Sequence, residues 1–367
     1  MKIPKAVLSA VLIMACFSAS SQERSVTPFH DDLNKKDIKI ILRAVADWQI
    51  RTPLTHHTAD WTNAAMYAGM VQWAGIAGNE LYFEWLKRKA EENSWSYKKP
   101  DDPRGRYHAD DYCVGQTYIE LYKKYKDIKM IEPVKAHLDN ILKDPATGSL
   151  EFIYTDDYWP TERWSWCDAL FMGPTVWTKM ANVTGEQKYL EFMFKEFTAT
   201  TDYLYDKDEH LFYRDSRYFT MKEANGSKVF WGRGNGWVFA GLPVILNELP
   251  AGYENKVYFE KLFKDMAVKI LSFQTQDGFW HASLLDPASY PNPEMSATAF
   301  FIYGFAWGIN NGYLDKKAYL PAIIKGWKSM VANVDPDGKV GFIQPIGADP
   351  KSVTKDMTEV YGVGGFL

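Results

Sequence analysis

One aspartate in the sequence lies in surroundings that suit proton transfer. The stretch 163-RWSWCDALFMGP-174 places a single carboxylate, Asp168, between Trp166 and an apolar run. Burial beside tryptophan favours the neutral form of a carboxyl group, so it raises the pKa and keeps a proton available near neutral pH. Asp168 is therefore a candidate general acid. A helix N-cap ahead of 169-ALFMGP-174 is the alternative role, and the two roles are compatible.

A second pair of acids, Asp110 and Asp111, occurs in 106-RYHADDYCVG-115. Adjacent carboxylates repel each other, so we expect one to cap the following helix near Gln116 and the other to point elsewhere. If one of the pair faces Asp168, that residue and Asp168 form a carboxylate dyad, an arrangement that can perform acid and base catalysis.

Aromatic and polar side chains alternate in the segments around these acids. The pattern occurs in 59-ADWTNAAMYAGM-70, 210-HLFYRDSRYF-219 and 230-FWGRGNGWV-238. Tryptophan faces stack on the C–H faces of sugars, while Asp, Arg and His fix hydroxyls and carboxylates, so the mixture suits a saccharide pocket. The alternative is that these aromatic residues cap an ordinary core between helices.

Composition narrows the expected partners. The chain has 367 residues and a formal net charge of -4, with lysine and arginine interleaved among acids, which argues against a nucleic-acid partner. We find no phosphate loop and no paired metal-ligand spacing, and we interpret His56-His57 as loop polarity. The sequence therefore predicts a small sugar or acid as ligand, without a metal or cofactor.

The segments that must position these residues have helical spacing. In 185-GEQKYLEFMFKEFTATTDYLY-205, apolar residues recur every three to four positions with Lys and Glu opposite. Comparable patterns occur at 31–51, 63–79, 111–127, 258–274 and 297–312. Long helices are therefore expected to dominate the chain.

A short turn-rich phrase returns between these helices. It appears as 144-DPATGSLEF-152, 206-DKDEHLFYRD-215, 276-QDGFWHASL-284 and 335-DPDGKVGFI-343, about 60 residues apart, a period that suits one helical hairpin with its loops. Six such hairpins fill the chain and predict an all-α (α/α)6 toroid, with residues 30–367 as one catalytic domain. An open solenoid is the alternative, but its repeats are usually shorter and more uniform.

The N-terminus resembles a secretory signal peptide over residues 1–22. Lys2 and Lys5 precede an apolar run and then small residues, and the run is short for a retained membrane span. Cys16 makes lipoprotein processing a variant of the same prediction. We expect a mature chain without a transmembrane span, exported to a bacterial periplasm or anchored there as a lipoprotein. Cys113 and Cys167 are expected to be small buried hydrophobes.

Four motifs in order carry a family resemblance over essentially the whole chain after residue 22. They are 108-HADDYCVG-115, 166-WCDALFMGP-174, 231-WGRGNGWV-238 and 304-GFAWGINNGYL-314. Together they resemble the unsaturated rhamnogalacturonyl and glucuronyl hydrolases of glycoside hydrolase family 105, which is related to family 88. The resemblance implies the (α/α)6 toroid. It also implies removal of the 4,5-unsaturated uronic acid that polysaccharide lyases leave at the non-reducing end of di- and oligosaccharides.

The resemblance assigns roles to the acidic residues. Asp168 in Trp-x-Asp matches the general acid and base of the family, with Trp166 as its partner in the pocket. Asp110 matches the second catalytic aspartate and is expected to orient sugar hydroxyls. The neighbouring Asp111 matches the same position if the alignment shifts by one residue.

The same resemblance names substrate-binding residues. Trp231, Arg233 and Trp237 match the Trp-x-Arg…Trp segment, and Trp61 falls where some relatives place an aromatic residue on the sugar. Arg214 departs from the pattern, because some members have histidine after Leu-Phe-Tyr. We expect Arg233 or Arg214 to pair with the uronate carboxylate, since the arginine fork suits that geometry.

Two other functions remain compatible with the sequence. An inverting glycosidase uses two separate carboxyl groups on saturated sugars, and an inactive saccharide-binding protein keeps the tryptophans without needing Asp168. The substrate source stays open among rhamnogalacturonan, ulvan and a glycosaminoglycan-like acid. The final 361-YGVGGFL-367 resembles the start of the family's last helix, so we expect a chain that lacks its terminal element. The sequence indicates no oligomeric state.

Overall fold

A computed structural model of the protein describes residues 28–97, 107–153 and 163–367. The predicted signal peptide with Cys16 lies outside these residues. In chain order, the helices are α1 Lys35–Arg51, α2 Trp61–Ala77, α3 Glu80–Glu91, α4 Ala109–Tyr112, α5 Gly115–Tyr125, α6 Glu132–Lys143, α7 Ala169–Met172, α8 Pro174–Thr184, α9 Lys188–Leu204, α10 Gly232–Glu248, α11 Lys256–Leu271, α12 Met295–Asn310, α13 Lys316–Ala332 and α14 Val360–Phe366. A two-stranded antiparallel ribbon, β1 Tyr205–Asp206 and β2 Leu211–Phe212, follows α9.

Among the described residues, six helices form a closed inner ring. Around the ring, α2 contacts α5, then α8, α10, α12 and α14 follow, and α14 packs back against α2. Helices α1, α3, α9, α11 and α13 lie against this ring from outside. This arrangement, shared with the structural relatives reported below, confirms the predicted (α/α)6 toroid and excludes the open solenoid.

Residue chemistry separates inner from outer helices. The inner helix α12 is apolar around most of its circumference and is buried from Met295 to Ile302. The outer helix α9 buries one face, including Met193 and Phe197, while Lys195 on the opposite face is exposed. A helix that is hydrophobic all round belongs in a core, and an amphipathic one belongs on its surface. The spacing predicted for residues 185–205 is confirmed.

Two of the turn-rich phrases contain glycine turns that pack against a neighbouring hairpin. Gly278 and Gly338 occupy equivalent turns and have φ angles of +94° and +99°, in a region that side-chain-bearing residues rarely adopt. A Cβ on Gly278 would meet the backbone of α13, and one on Gly338 would meet the backbone of α1. Each turn therefore seats one hairpin against the outer helix of a neighbouring hairpin.

The inner helices begin at the same end of the ring. The first turns of these helices contain Trp61 on α2, Arg233 on α10 and Tyr361 on α14. The ring of Tyr361 stacks on Trp61 and lies within cation–π distance of Arg233. The short helices α4 and α7, which precede α5 and α8, pack against each other, and α4 also contacts α2. In the part of the chain that the structure describes, no helix combines the length and apolar character required to cross a bilayer.

Candidate active site

Carboxylates surround the mouth where the inner helices begin. Acidic residues precede five of the six inner helices, and they are Asp60, the pair Asp110 and Asp111, Asp168, Glu294 and Glu359. Helix N-termini carry partial positive charge, which favours anions in the first turn. Asp60 and Glu294 use this position as ordinary N-caps, since each side chain accepts backbone N–H bonds. The other acids differ from them.

Asp168 is not a capping residue in the structure. It stands at the N-cap position of α7, but its backbone is already helical and its side chain makes no capping hydrogen bond. The residue is 8% exposed. Its Oδ2 lies 3.5 Å from Nε of Arg214 and accepts a weak 3.5 Å contact from the Cys167 thiol. The N-cap alternative is therefore wrong, and the carboxyl group is available for chemistry.

Asp110 and Asp168 influence each other's protonation. Burial raises the pKa of Asp168, while the nearby positive charges of Arg214 and Arg233 act in the opposite direction. The pKa of Asp110 is raised well above its ordinary value, first by burial and then by the charges of Asp168 and Asp111. Repulsion between neighbouring carboxylates favours the protonated form of a carboxyl group. This is the electrostatic property expected of a dyad.

Asp111 lies next to Asp110 within α4 and is partly exposed. Its charge adds to the field at Asp110. The expectation that one of the two acids caps the next helix is wrong, because the N-cap residue of α5 is Val114 and no side chain caps there. The choice of Asp110 over Asp111 for the catalytic role stays a prediction, which the field of Asp168 at Asp110 favours.

Arg214 lies beside Asp168 and is itself held in place. Its Nη1 donates to Oδ2 of Asp215 at 2.7 Å, and its guanidinium lies 5.0 Å from the ring centroid of Phe152. The Arg214 side chain is 16% exposed. It can therefore meet a substrate carboxylate while it remains next to Asp168, and its predicted uronate contact stays a prediction.

Arg233 occupies a different environment. It is fully buried between the rings of Trp231 and Tyr361, and its two Nη groups donate to the carbonyl oxygens of Gln344 and Pro345. Nε of Arg233 has no hydrogen-bond partner among the residues that the structure describes. The positive charge of Arg233 acts on Asp168, and direct uronate binding by Arg233 stays a prediction.

The four predicted tryptophans divide into two groups. Trp166, Trp231 and Trp237 are at most 2% exposed, and their predicted roles in substrate binding stay predictions. Trp61 is partly exposed and stacks on Tyr361 with centroids 5.2 Å apart, and Trp237 packs edge-on behind it at 6.3 Å. Direct stacking of a sugar on Trp61 stays a prediction.

Several residues at the site escaped sequence reasoning. Glu294, Gln344 and Tyr361 come from the last third of the chain and join α10, α12 and α14: Gln344 N donates to Glu294, and its carbonyl oxygen accepts from Tyr361 as well as Arg233. No local pattern marks them. Asp215 is different, because an acid between two arginines in 214-RDSR-217 is a recognisable signal of a paired buried charge.

Comparison with known proteins defines the class. Residues 34–367 match Glycosyl Hydrolase Family 88, and the chain belongs to this family of glycoside hydrolases. It is 36% identical over 351 residues to an unsaturated 3S-rhamnoglycuronyl hydrolase of Alteromonas sp. (strain LOR), covering 90% of this chain and 84% of the relative. A protein of the same name from Formosa agariphila is 36% identical over 355 residues, covering 91% and 90%.

Solved structures agree with the family. A glycosyl hydrolase of family 88 from Bacteroides vulgatus superposes with a TM-score of 0.80 at 31% identity, over 90% of this chain and 96% of that one. A structure described as a polysaccharide lyase, BACCELL_00875, gives a TM-score of 0.81 at 32% identity, over 90% and 94%. The family resemblance seen in the four sequence motifs is confirmed.

Proposed function

We propose that this glycoside hydrolase removes a 4,5-unsaturated uronic acid from the non-reducing end of polysaccharide-lyase products by hydrating its C4=C5 double bond. The observation that carries the proposal is the carboxyl group of Asp168. It is buried, it does not cap a helix, and its charge acts on Asp110. Burial favours the protonated form of such a group, and this is the form that can deliver a proton to carbon. The names of both 36% identical relatives support the same chemistry.

The reaction follows from the enol ether in the substrate. Protonation of C4 produces an oxocarbenium-like cation at C5, and water adds to C5 with loss of one proton. The resulting C5 hemiketal opens and rearranges, which releases the aglycone without attack at the anomeric carbon. One carboxyl group serves both steps, because after giving its proton to C4 it is the base that accepts the proton of the water.

The side chains at the mouth fit these steps. Asp168 gives and then regains the proton, and the adjacent guanidinium of Arg214 stabilises its ionised form between the two steps. The pKa of Asp110 is raised well above the ordinary value, which favours its neutral form, and a neutral carboxyl group can donate a hydrogen bond to a sugar hydroxyl. Trp61, partly exposed at the mouth, offers a ring face to the sugar.

For the aglycone, we propose an unsaturated rhamnoglycuronyl substrate of the kind that the two relatives' names specify. Arg214, in the position where some family members have histidine, adds a permanent cation to this part of the site. Fragments from ulvan and from rhamnogalacturonan are the two sources to compare. Higher kcat/KM on one of them identifies the source.

The test follows the absorbance of the double bond. We expect the absorbance of an unsaturated uronyl-rhamnose disaccharide to disappear as the sugar is cleaved, and the saturated disaccharide to remain intact. Equal cleavage of the saturated disaccharide identifies an ordinary inverting glycosidase. Rising absorbance with a saturated polymer identifies a lyase, and binding without turnover identifies an inactive sugar-binding protein. Each of these three results contradicts the proposal.

We also propose that the protein is exported, on the basis of the charged and apolar pattern of residues 1–22. Expression of the full chain in a bacterium, followed by fractionation and mass spectrometry of the mature N-terminus, tests this. A periplasmic protein that begins near residue 22 supports ordinary cleavage, and a lipid-modified Cys16 supports the lipoprotein variant. An unprocessed chain in the cytoplasm contradicts export.

A further inference from the structure

A buried carboxylate behind the proposed catalytic acid has no part in the mechanism so far. Asp215 has no exposed surface, and it sits between two arginines. Its Oδ2 accepts from Nη1 of Arg214 at 2.7 Å, while Arg217 binds both carboxylate oxygens at 2.8 Å. Removing a carboxylate from water is costly, so a charge buried to this extent needs such paired, hydrogen-bonded neighbours.

The backbone around Asp215 is tied to the backbone around Asp168. The amide of Cys167 donates to the carbonyl of Arg214 at 2.8 Å, and Trp166 forms an isolated antiparallel bridge with Asp215. These contacts align the two chain segments. The guanidinium of Arg214 can then reach in two directions at once, with Nη1 on Asp215 and Nε 3.5 Å from Oδ2 of Asp168.

We propose that Asp215 is a positioning residue of the reaction, which holds the Arg214 guanidinium against Oδ2 of Asp168. This role rests on the proposed function for its catalytic meaning, whereas the contact between Arg214 and Asp168 is observed in the structure itself. Asp215 never touches the substrate in this account. It acts only through Arg214, as the planar fork of arginine allows.

Other groups also face Asp168, and they define the background of the effect. Arg233 from α10 contributes positive charge, the thiol of Cys167 contacts Oδ2, and Asp110 from α4 is the neighbouring acid. None of these is bonded to Asp215 in the contacts that the structure describes. A change at Asp215 therefore reaches Asp168 mainly by way of Arg214.

The substitution Asp215→Asn separates positioning from simple charge. If Arg214 stayed in place, the loss of a nearby negative charge would make Asp168 easier to ionise and lower its titration midpoint. If Asp215 holds Arg214 in place, the released guanidinium moves away and the midpoint rises. An opposite charge within contact distance lowers the pKa of an aspartate by roughly 1–3, so we expect a rise of about one pH unit.

The first measurement is a titration of the unliganded protein with carbon-13 in its aspartate carboxyl groups. The Asp168 signal is assigned by its loss in Asp168→Asn. The control is Glu196→Gln, because Glu196 is 1% exposed, pairs with both Nε and Nη2 of Arg163, and makes no contact with Arg214. We expect the control to leave the Asp168 midpoint unchanged. An unchanged or lower midpoint in Asp215→Asn overturns the proposal.

The second measurement is a double-mutant cycle in kcat on the unsaturated disaccharide. A charge-assisted hydrogen bond accounts for roughly tenfold or more in an equilibrium, so we expect Asp215→Asn and Arg214→Gln each to lower kcat at least tenfold. Together they should cost little more than Arg214→Gln alone, since residues that act through one contact are not additive. Fully additive losses contradict positioning through Arg214.

Failure of the proposed function can be distinguished from failure of the positioning role. If wild-type protein leaves the disaccharide untouched, the proposed function fails, while the titration still decides whether Asp215 positions Arg214. If Asp215→Asn does not fold, Arg214→Lys takes its place, because a lysine ammonium cannot span Asp215 and Asp168 as the arginine fork does. Wild-type values of both kcat and the Asp168 midpoint in Arg214→Lys overturn the proposal.

Discussion

At the scale of single residues, the proposed chemistry rests on Asp168 and Asp110, two carboxyl groups whose pKa values burial raises. Asp168→Asn keeps the shape of the side chain but cannot deliver a proton. Loss of general acid and base catalysis costs roughly a hundredfold or more, so we expect kcat to fall at least that far. Substrate binding should persist, because the amide preserves the size and polarity of the group.

The measurement is steady-state turnover of the unsaturated disaccharide, with binding followed separately by calorimetry. Thermal unfolding provides the control for folding. A variant that keeps more than about a tenth of the wild-type kcat removes Asp168 from the role of general acid, given the size of the effect that such catalysis normally has.

Asp110 should make the stability of the fold depend on pH. Its folded pKa is raised well above the ordinary aspartate value, so the folded chain binds this proton more tightly than the unfolded chain. The contribution of this proton to the free energy of unfolding is therefore complete below the ordinary pKa near 3.8, and it is lost as the pH rises through the raised pKa of the folded state. Asp110→Asn cannot ionise and escapes this loss.

We expect Asp110→Asn to melt at a higher temperature than wild type at pH 7–8, by about 2 °C or more, and to match wild type near pH 4. Turnover should decrease in the same variant, since active-site residues often exchange stability for activity. Calorimetry at both pH values makes the comparison. Equal or lower melting temperature of the variant at pH 7–8 contradicts a raised pKa at Asp110.

At the scale of elements, the sequence pattern predicted the helices but not the contacts between distant segments. The long helices followed from spacing, as in α9, because one buried face and one charged face leave a period of 3.6 in the sequence. The pairing of Trp166 with Asp215 had no local signal, since it depends on two segments that meet only in the folded ring. The exposure of Trp61 and the burial of Trp231 were equally invisible, because both belong to similar aromatic phrases.

The close approach of α2 and α14 yields a prediction about glycine. A Cβ added to Gly69 on α2 would lie 2.0 Å from the carbonyl oxygen of Gly364 on α14, a separation that atoms do not tolerate. Gly69→Ala must therefore push α14 away from α2 at the point where the ring closes. Overpacking of this kind typically costs about 1–3 kcal/mol, and we expect a lower melting temperature.

The matched control lies on the same helix. Gly75 also belongs to α2, but a Cβ there would have no neighbouring atom within 4 Å. Alanine is favoured over glycine inside a helix by about 1 kcal/mol, so Gly75→Ala should leave the melting temperature unchanged or raise it. If thermal unfolding shows the same effect for both substitutions, the close approach of α2 and α14 is not what limits Gly69.

The whole molecule has two unlike ends. The repeat of about 60 residues predicted six hairpins and a mouth that collects loops, and the ring confirms the hairpins. Sequence alone did not show the second feature, a cavity of about 510 Å³ lined from the later turns of the inner helices, including Ala68, Lys179, Val244 and Tyr303. Its lining residues come from helices that include α2, α5, α8, α10, α12 and α14, so no single segment encodes it.

The last prediction separates these two ends by activity. Asp168 and Asp110 precede α8 and α5, whereas Ala68 lies in the interior of α2 and faces the cavity. Ala68→Leu fills part of this space with apolar atoms, and leucine is well tolerated in a helix. We expect kcat/KM on the unsaturated disaccharide to stay within about twofold of wild type, because a side chain remote from the reacting atoms contributes little to transition-state binding. Trp61→Ala at the mouth is the comparison, and loss of an aromatic contact worth about 0.5–1.5 kcal/mol should lower kcat/KM severalfold. A large loss in Ala68→Leu, with Trp61→Ala unaffected, would move the substrate site from the carboxylate-lined mouth to the cavity.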